Sequence, residues 1–285
     1  MNNVKSAAVT AFVVSKTEAG KSLQDFLALK LSVSKRAAKN LMDDRAVWVN
    51  RKSVWMAHHT LRQGDTVEVP AAHKPKSEAP AKIRVLVEDT HYLVADKPSG
   101  MLAVGEGSAE ELLRKQTGVP TLQAVHRLDR DTTGCLLFAK NAAAFDAAVA
   151  VFKTRRVIKI YHAIVYGTFD RPASTIDQEL DGERAVSHIQ REAVSKDASF
   201  LKVRIETGRT HQIRRHLASI RHPVLGDREH GVKFARDSRL LTIPRQMLHA
   251  SGLELPHPMQ SGTLKAHSPL PADFRRCLKL FDMGK

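Results

Sequence analysis

Ala124-Val-His-Arg-Leu-Asp-Arg-Asp-Thr-Thr-Gly-Cys-Leu-Leu-Phe-Ala-Lys140 sets alternating charges between two apolar stretches. That pattern predicts a sharp loop feeding a strand over 135–139. By itself the charged run reads somewhat better as a surface turn held by ion pairs between Arg127 and Asp131, which contribute little when exposed. Loops nevertheless carry a disproportionate share of catalytic groups, so Asp129 and Asp131 stay open as chemistry.

Working outward, 83–87 and 92–95 read as strands, and Lys97-Pro-Ser-Gly100 as a sharp turn. Residues 141–153 read as a helix with Phe145, Ala148, Val149 and Phe152 on its core side, and 157–167 as a strand carrying Tyr161. A second unusual segment is Thr207-Gly-Arg-Thr-His-Gln-Ile-Arg-Arg-His-Leu-Ala-Ser-Ile220. Thr210 stands where it could cap a helix whose apolar face is Ile213, Leu217 and Ile220. At about 100° per residue, Arg215 points away from that face, whereas Arg214 lies on its border. An arginine there is partly buried and in want of a carboxylate, which makes Arg214 the better site candidate. Arg215 is left for phosphate contact or solvation. Many short strands interrupted by helices predict an α+β class built on a mixed sheet.

Residues 12–70 read as a separate small module: a capped helix starting at Ser22-Leu-Gln-Asp25, a second helix over 34–44, and short strands near Val47 and Thr66. Lys35, Arg36 and Lys39 line one side of the second helix. Residues 71–82 hold prolines, small residues and no apolar period, and read as a linker. Residues 83–285 then form the larger domain, expected to fold without residues 1–80. The first 80 residues carry 13 Lys/Arg against 7 Asp/Glu, a surplus of +6, within a chain of formal net charge +15. Such a surplus points to a polyanion, and nucleic acid above all. Aromatic residues at 5% argue against a single-strand binder made of many stacking platforms.

No phosphate-binding glycine loop, dinucleotide fingerprint or Gly-x-Ser-x-Gly elbow occurs, so no cofactor or nucleotide is expected. His211, His216 and His222 lack metal-ligand spacing, and no metal site is expected. Cys135 and Cys277 read as packing residues of a reducing, cytoplasmic compartment. No run reaches the roughly 20 apolar residues of a membrane span, and the start lacks the pattern of a secretory signal. A monomer is expected.

His126-Arg-Leu-Asp-Arg-Asp-Thr-Thr-Gly134 resembles the HRLDRDTSG signature of the RluA family of pseudouridine synthases, with Thr133 for the usual serine. Lys159-Ile-Tyr161, running on to Gly167, is similar to the family's K-x-Y strand. Thr207–Arg214 with His222-Pro-Val-Leu-Gly-Asp227 resembles its third motif, and Leu248-His-Ala250, Pro256-His-Pro258 and Pro269-Leu-Pro271 resemble its C-terminal landmarks. Ser34-Lys-Arg-Ala-Ala-Lys-Asn-Leu-Met42 and Val47-Trp-Val-Asn-Arg-Lys52 resemble an S4 RNA-binding domain. Two loops depart from the family: Met101–Gly107 lacks its histidine turn, and Gly226-Asp-Arg-Glu-His-Gly231 lacks the tyrosine of GDPLYG.

The resemblance implies isomerisation of uridine to pseudouridine in structured RNA, ribosomal in preference to transfer RNA. The bond from C1′ to N1 breaks, the uracil turns, and C1′ joins C5, so no cofactor is consumed. It implies Asp129 as the catalytic carboxylate, Arg214 as its partner, and Tyr161 as a catalytic residue that stacks on the uracil and is a candidate to remove the C5 proton. Arg127 would help hold the opened helix; Arg209, Arg215, Lys35, Arg36 and Lys39 are candidates for RNA contact. Two rival readings are a non-catalytic RNA-binding or ribosome-assembly factor on the same fold, and a base-flipping glycosylase. The first would tolerate loss of Asp129, and the second needs a water-activating base that is not evident.

Overall fold

The computed structural model describes residues 9–43, 46–70, 82–154, 156–232 and 237–284. The chain divides into two compact units, one of the described residues in 1–77 and 225–245, the other of those in 78–224 and 246–285.

In the first unit, Ser22 accepts from the Asp25 amide at 3.1 Å and donates to its carboxylate at 2.9 Å. This satisfies an N-terminal amide and starts α1 (Leu23–Lys30) after strand β1 (Val9–Val13). Helix α2 (Lys35–Asp43) follows, then β2 (Trp48–Val49), β3 (Lys52–Ser53) and β4 (Thr66–Pro70). Asn50 and Arg51, at φ 50° and 61°, form the two-residue hairpin between β2 and β3. Both central residues at positive φ match the twist of the flanking strands. The antiparallel sheet runs β1-β4-β2-β3, and Phe26, Leu27, Met42, Val47 and Val67 are buried together against it. Lys35 pairs with Asp25 at 2.7 Å and Lys39 is exposed. The Arg36 side chain and residues 71–81 of the expected linker lie outside the described residues.

One segment departs from the sequence expectation. Residues 225–245, counted above with 83–285, belong to the N-terminal unit. Their Leu240, Leu241 and Ile243 are buried, so removing residues 1–80 would strip apolar surface rather than leave an intact remainder.

The second unit is built on one mixed sheet. Its elements are β5 (Arg84–Glu88), β6 (Tyr92–Lys97), α3 (Ala109–Thr117), β7 (Gln123–Ala124), β8 (Thr133–Ala139), α4 (Ala142–Phe152), β9 (Ile158–Tyr166), β10 (Ala173–Asp177), β11 (Val186–Val194), β12 (Ala198–Ile205), α5 (Gln212–Ser219), β13 (Leu248–Pro256), β14 (Thr263–His267) and α6 (Ala272–Leu280). The order is β10-β11-β12-β9-β13-β8-β6-β5, with β14 on β13 and β7 on β8. All pairings are antiparallel except β8 with β13, where Thr133 and Gly134 face His249 and Ala250. Strand β8 is buried along its whole length, as its unbroken apolar run requires of a central strand. One cluster, with Leu136, Phe138, Ala163, Val203, Ile213 and Leu217, gathers α5 onto the sheet. A second, with Leu137, Ala144, Ala148 and Leu253, gathers α4. Helix α3 escaped the sequence reading, although Ser108 caps it and Gly118, at φ 70°, ends it. Among the described residues no helix is long and apolar enough to cross a membrane.

Two half-buried histidines make stability pH-dependent. Burial, with the Lys159 charge second, lowers His126 to about 4; burial, then His249 and Lys202, lowers His162 to about 4. The unfolded chain takes up protons near the ordinary value of about 6.5, but the folded chain resists until lower pH. The stability is therefore full above about pH 6.5 and is lost as pH falls from there. His162 stacks on Phe200 at 5.2 Å, and its buried Nδ1 has no hydrogen-bond partner. His162→Phe should keep the stack and flatten the fall in Tm between about pH 7.5 and pH 5. An identical pH dependence in wild type and variant would contradict this account.

Candidate active site

The loop between β7 and β8 carries Asp129, and local chemistry holds it from both ends. His126 stacks on Phe152 with ring centroids 5.2 Å apart, and its Nε2 accepts from the Leu137 amide at 3.2 Å. A neutral imidazole can accept in this way and an imidazolium cannot, which agrees with the lowered pKa of His126. At the other end the fully buried Lys97 donates to the carbonyls of Pro98, Met101 and Arg130 at 2.8, 2.7 and 2.9 Å. The Gly100 amide donates to the same Arg130 carbonyl at 2.9 Å. The turn 97–100 and the charged loop are thereby tied together.

Helix α5 brings the cation. Arg214 is only 5% exposed, and its Nη1 donates to Asp129 Oδ2 at 3.0 Å. A guanidinium so buried needs a carboxylate, and the pair is strongly constrained once formed. Gln246, also buried, donates from Nε2 to the same Oδ2 at 3.3 Å and to Thr132 Oγ1 at 2.8 Å. His211 Nε2 lies 3.9 Å from Asp129 Oδ1. Tyr161, on β9, completes a cleft of about 80 Å³ whose walls include Arg127, Asp129, Arg209, Gln212 and Leu248. Burial, and after it the Asp129 charge, pushes the Tyr161 phenol well above the tyrosine range.

The start of α5 differs from expectation. Its N-cap is His211, held in the left-handed region at φ 53°, and not Thr210. Gln212 supplies the reason. Its Oε1 accepts from the Arg209 amide at 3.1 Å and from Thr207 Oγ1 at 2.7 Å, while its Nε2 donates to the Val186 carbonyl at 2.9 Å. These bonds knot the loop 207–212 so tightly that the turn is completed one residue later. A non-glycine residue in this conformation is uncommon and clusters at functional sites.

The other candidates fall around the cleft or away from it. Arg127 is exposed at the cleft and has no carboxylate partner among the described residues; the ion pair with Asp131 is not formed. Arg209 is paired with Glu183, and Arg215 makes two bonds to Asp181, at 2.7 and 3.0 Å. Lys35, Arg36 and Lys39 belong to the other unit. Gln212, Gln246 and His211 did not stand out in the sequence as site residues. For Gln212 and His211 the glutamine directly after a Thr-His step was a usable signal; for Gln246 none was.

Comparison with known proteins identifies the family. A family model described as RNA pseudouridylate synthase matches residues 91–219. Ribosomal large subunit pseudouridine synthase D of Xanthomonas campestris pv. campestris is 34% identical over 252 residues, covering 77% of this chain and 76% of that protein. The protein of the same name from Pseudomonas aeruginosa is 36% identical over 230 residues, covering 70% and 72%. Ribosomal large subunit pseudouridine synthase C of Vibrio cholerae is 29% identical, with 98% of each chain covered. The fold is also that of human RNA Pseudouridylate Synthase Domain Containing 4, with a TM-score of 0.60 at 22% identity over 70% of this chain and 92% of that one. The chain belongs to the RNA pseudouridylate synthase family, and is an isomerase that acts on RNA.

Proposed function

We propose that the chain converts specific uridines of large-subunit ribosomal RNA to pseudouridine in the cytoplasm, with Asp129 as its catalytic carboxylate. The observation that carries this is the Asp129 carboxylate held at 3.0 Å by the buried Arg214, beside Tyr161 in one cleft. Isomerisation needs a nucleophile or base that is aimed and cannot be quenched by bulk water. Arg214 and Gln246 both bind Oδ2, and Oδ1, with His211 Nε2 3.9 Å away, is assigned as the reacting atom. Tyr161 offers a ring face to the uracil; its phenol remains protonated at neutral pH, so stacking is its first role.

A cleft of about 80 Å³ is small beside ordinary ligand pockets of about 300–1,000 Å³. The target base therefore enters as exposed side chains at the rim swing out, and it must first leave its helix at a cost of a few kcal/mol. Arg127 fills or braces the vacated space. Arg209 and Arg215 exchange their carboxylates for phosphates, an exchange that is cheap because exposed ion pairs are worth only about 0–1 kcal/mol. In the N-terminal unit, two helices followed by a hairpin, with Lys35, Arg36 and Lys39 on α2, serve as an S4-like grip on RNA. The names of the relatives favour ribosomal RNA over transfer RNA. The test is to incubate the purified protein with protein-free large-subunit ribosomal RNA and, separately, with bulk transfer RNA, and to map pseudouridines in each. Stoichiometric product at a few ribosomal sites is expected; product in transfer RNA alone would reassign the substrate.

A further inference from the structure

The chain has two tryptophans, Trp48 and Trp55, and both line one cavity in the N-terminal unit. Its volume is about 320 Å³, within the range of small-ligand pockets. The β2–β3 hairpin presents Trp48, and Trp55 follows just past β3. Leu240, Leu241 and Ile243, all buried, form apolar walls. Trp55 is 48% exposed, although an indole gains more from burial than almost any other side chain. Lys52 stands at the same cavity, exposed and with no carboxylate partner among the described residues. Asp227, Arg228 and Glu229 are also in the lining. Two indoles over an aliphatic floor suit a flat aromatic ring, and Lys52 and Arg228 suit an anion attached to it. That is a nucleobase with its phosphate, and the surplus positive charge of residues 1–80 favours the same partner.

We propose that this cavity is a second base-binding site, which takes one unpaired nucleobase of the RNA away from the cleft at Asp129. Trp48 and Trp55 stack on the base, and Lys52 contacts its phosphate. The inference rests on the RNA-modifying reading above, and adds a point at which unpaired RNA flanking the target is gripped. Stacking tolerates any base, so this site adds affinity without reading sequence.

Because both tryptophans line the cavity, the tryptophan emission of the full-length protein, excited selectively over tyrosine, reports on it alone. A labelled RNA hairpin with a single-stranded flank is titrated in, reading emission and RNA anisotropy together. Quenching should track binding. Trp55→Ala should weaken affinity about tenfold, whereas Trp55→Phe, which keeps a stacking face, should stay within about threefold. Lys52→Gln should lower the slope of log affinity against log salt by about 0.7–0.9, one phosphate's worth. Turnover at saturating RNA should be unchanged in all three. RNA binding without quenching, unaltered affinity in Trp55→Ala, or an unaltered salt slope in Lys52→Gln would overturn the proposal. Absence of any RNA binding by anisotropy would instead count against the RNA-modifying reading itself. Should circular dichroism show Trp55→Ala to be unfolded, the Phe and Gln variants still decide the matter.

Discussion

Asp129→Asn is expected to leave the protein folded and RNA affinity within a few fold, while single-turnover product formation falls by about 10²–10⁴-fold or more. The amide fills the volume of the carboxylate and can still accept from Arg214 and Gln246, which bind Oδ2 at 3.0 and 3.3 Å. It cannot act as nucleophile or base. Asp131→Asn is the control: Asp131 lies two residues on and accepts from Ser99 Oγ at a long 3.4 Å, and its variant should keep most activity. Gln246→Leu should sit between them, since one hydrogen bond to a charged group is worth about 1.5–3 kcal/mol. It should lower kcat about tenfold or somewhat more without changing RNA affinity. Product formation by Asp129→Asn at the wild-type rate would remove the assignment, and equal losses in the two aspartate variants would mean that the loop had collapsed.

Gly134→Ala, at the start of β8 just past the loop of Asp129, is expected to be a severely damaging single-methyl change. Gly134 has φ 110°, where side-chain-bearing residues are strained. A Cβ there would also run into the backbone carbonyl of Ala250. That carbonyl cannot retreat, because Gly134 and Ala250 are paired where β8 meets β13 and Lys97 faces Gly134 from β6. Strain and collision together predict a loss of about 4 kcal/mol or more, seen as a fall in Tm of roughly 10 °C or as insoluble protein. Gly118→Ala supplies the comparison. Its φ of 70° is strained too, but open space surrounds the position, so about 1 kcal/mol is expected. Equal, small effects at both glycines would show that the β8–β13 junction yields more easily than its register implies.

The same contrast between local and distant contacts separates what could be read in the residues from what could not. The helical period over Ile213, Leu217 and Ile220 by itself puts Arg214 at the edge of a buried face and turns Arg215 to solvent. Ser22 with Asp25, and Asn141 with the Ala144 amide, start their helices as short-range capping predicts. The mixed-sheet α+β class followed from short strands alternating with helices. All of these depend on neighbours within a few residues. Helix α3, with Ser108 at its start and Gly118 at its end, is legible by the same rule. The grouping of the site was of another kind. Arg214 lies 85 residues from Asp129, and Gln246 lies 117 away. No periodicity within one element can select between a carboxylate at 129 and one at 131. Sheet order makes that selection, by setting the β8 loop against the start of α5 and the entry to β13. It likewise took tertiary packing to assign residues 225–245 to the N-terminal unit, because an apolar stretch records only that it must be covered and not by what. Hydrophobic burial is non-directional, so the sequence determines which faces turn inward, and only the folded chain decides which faces meet.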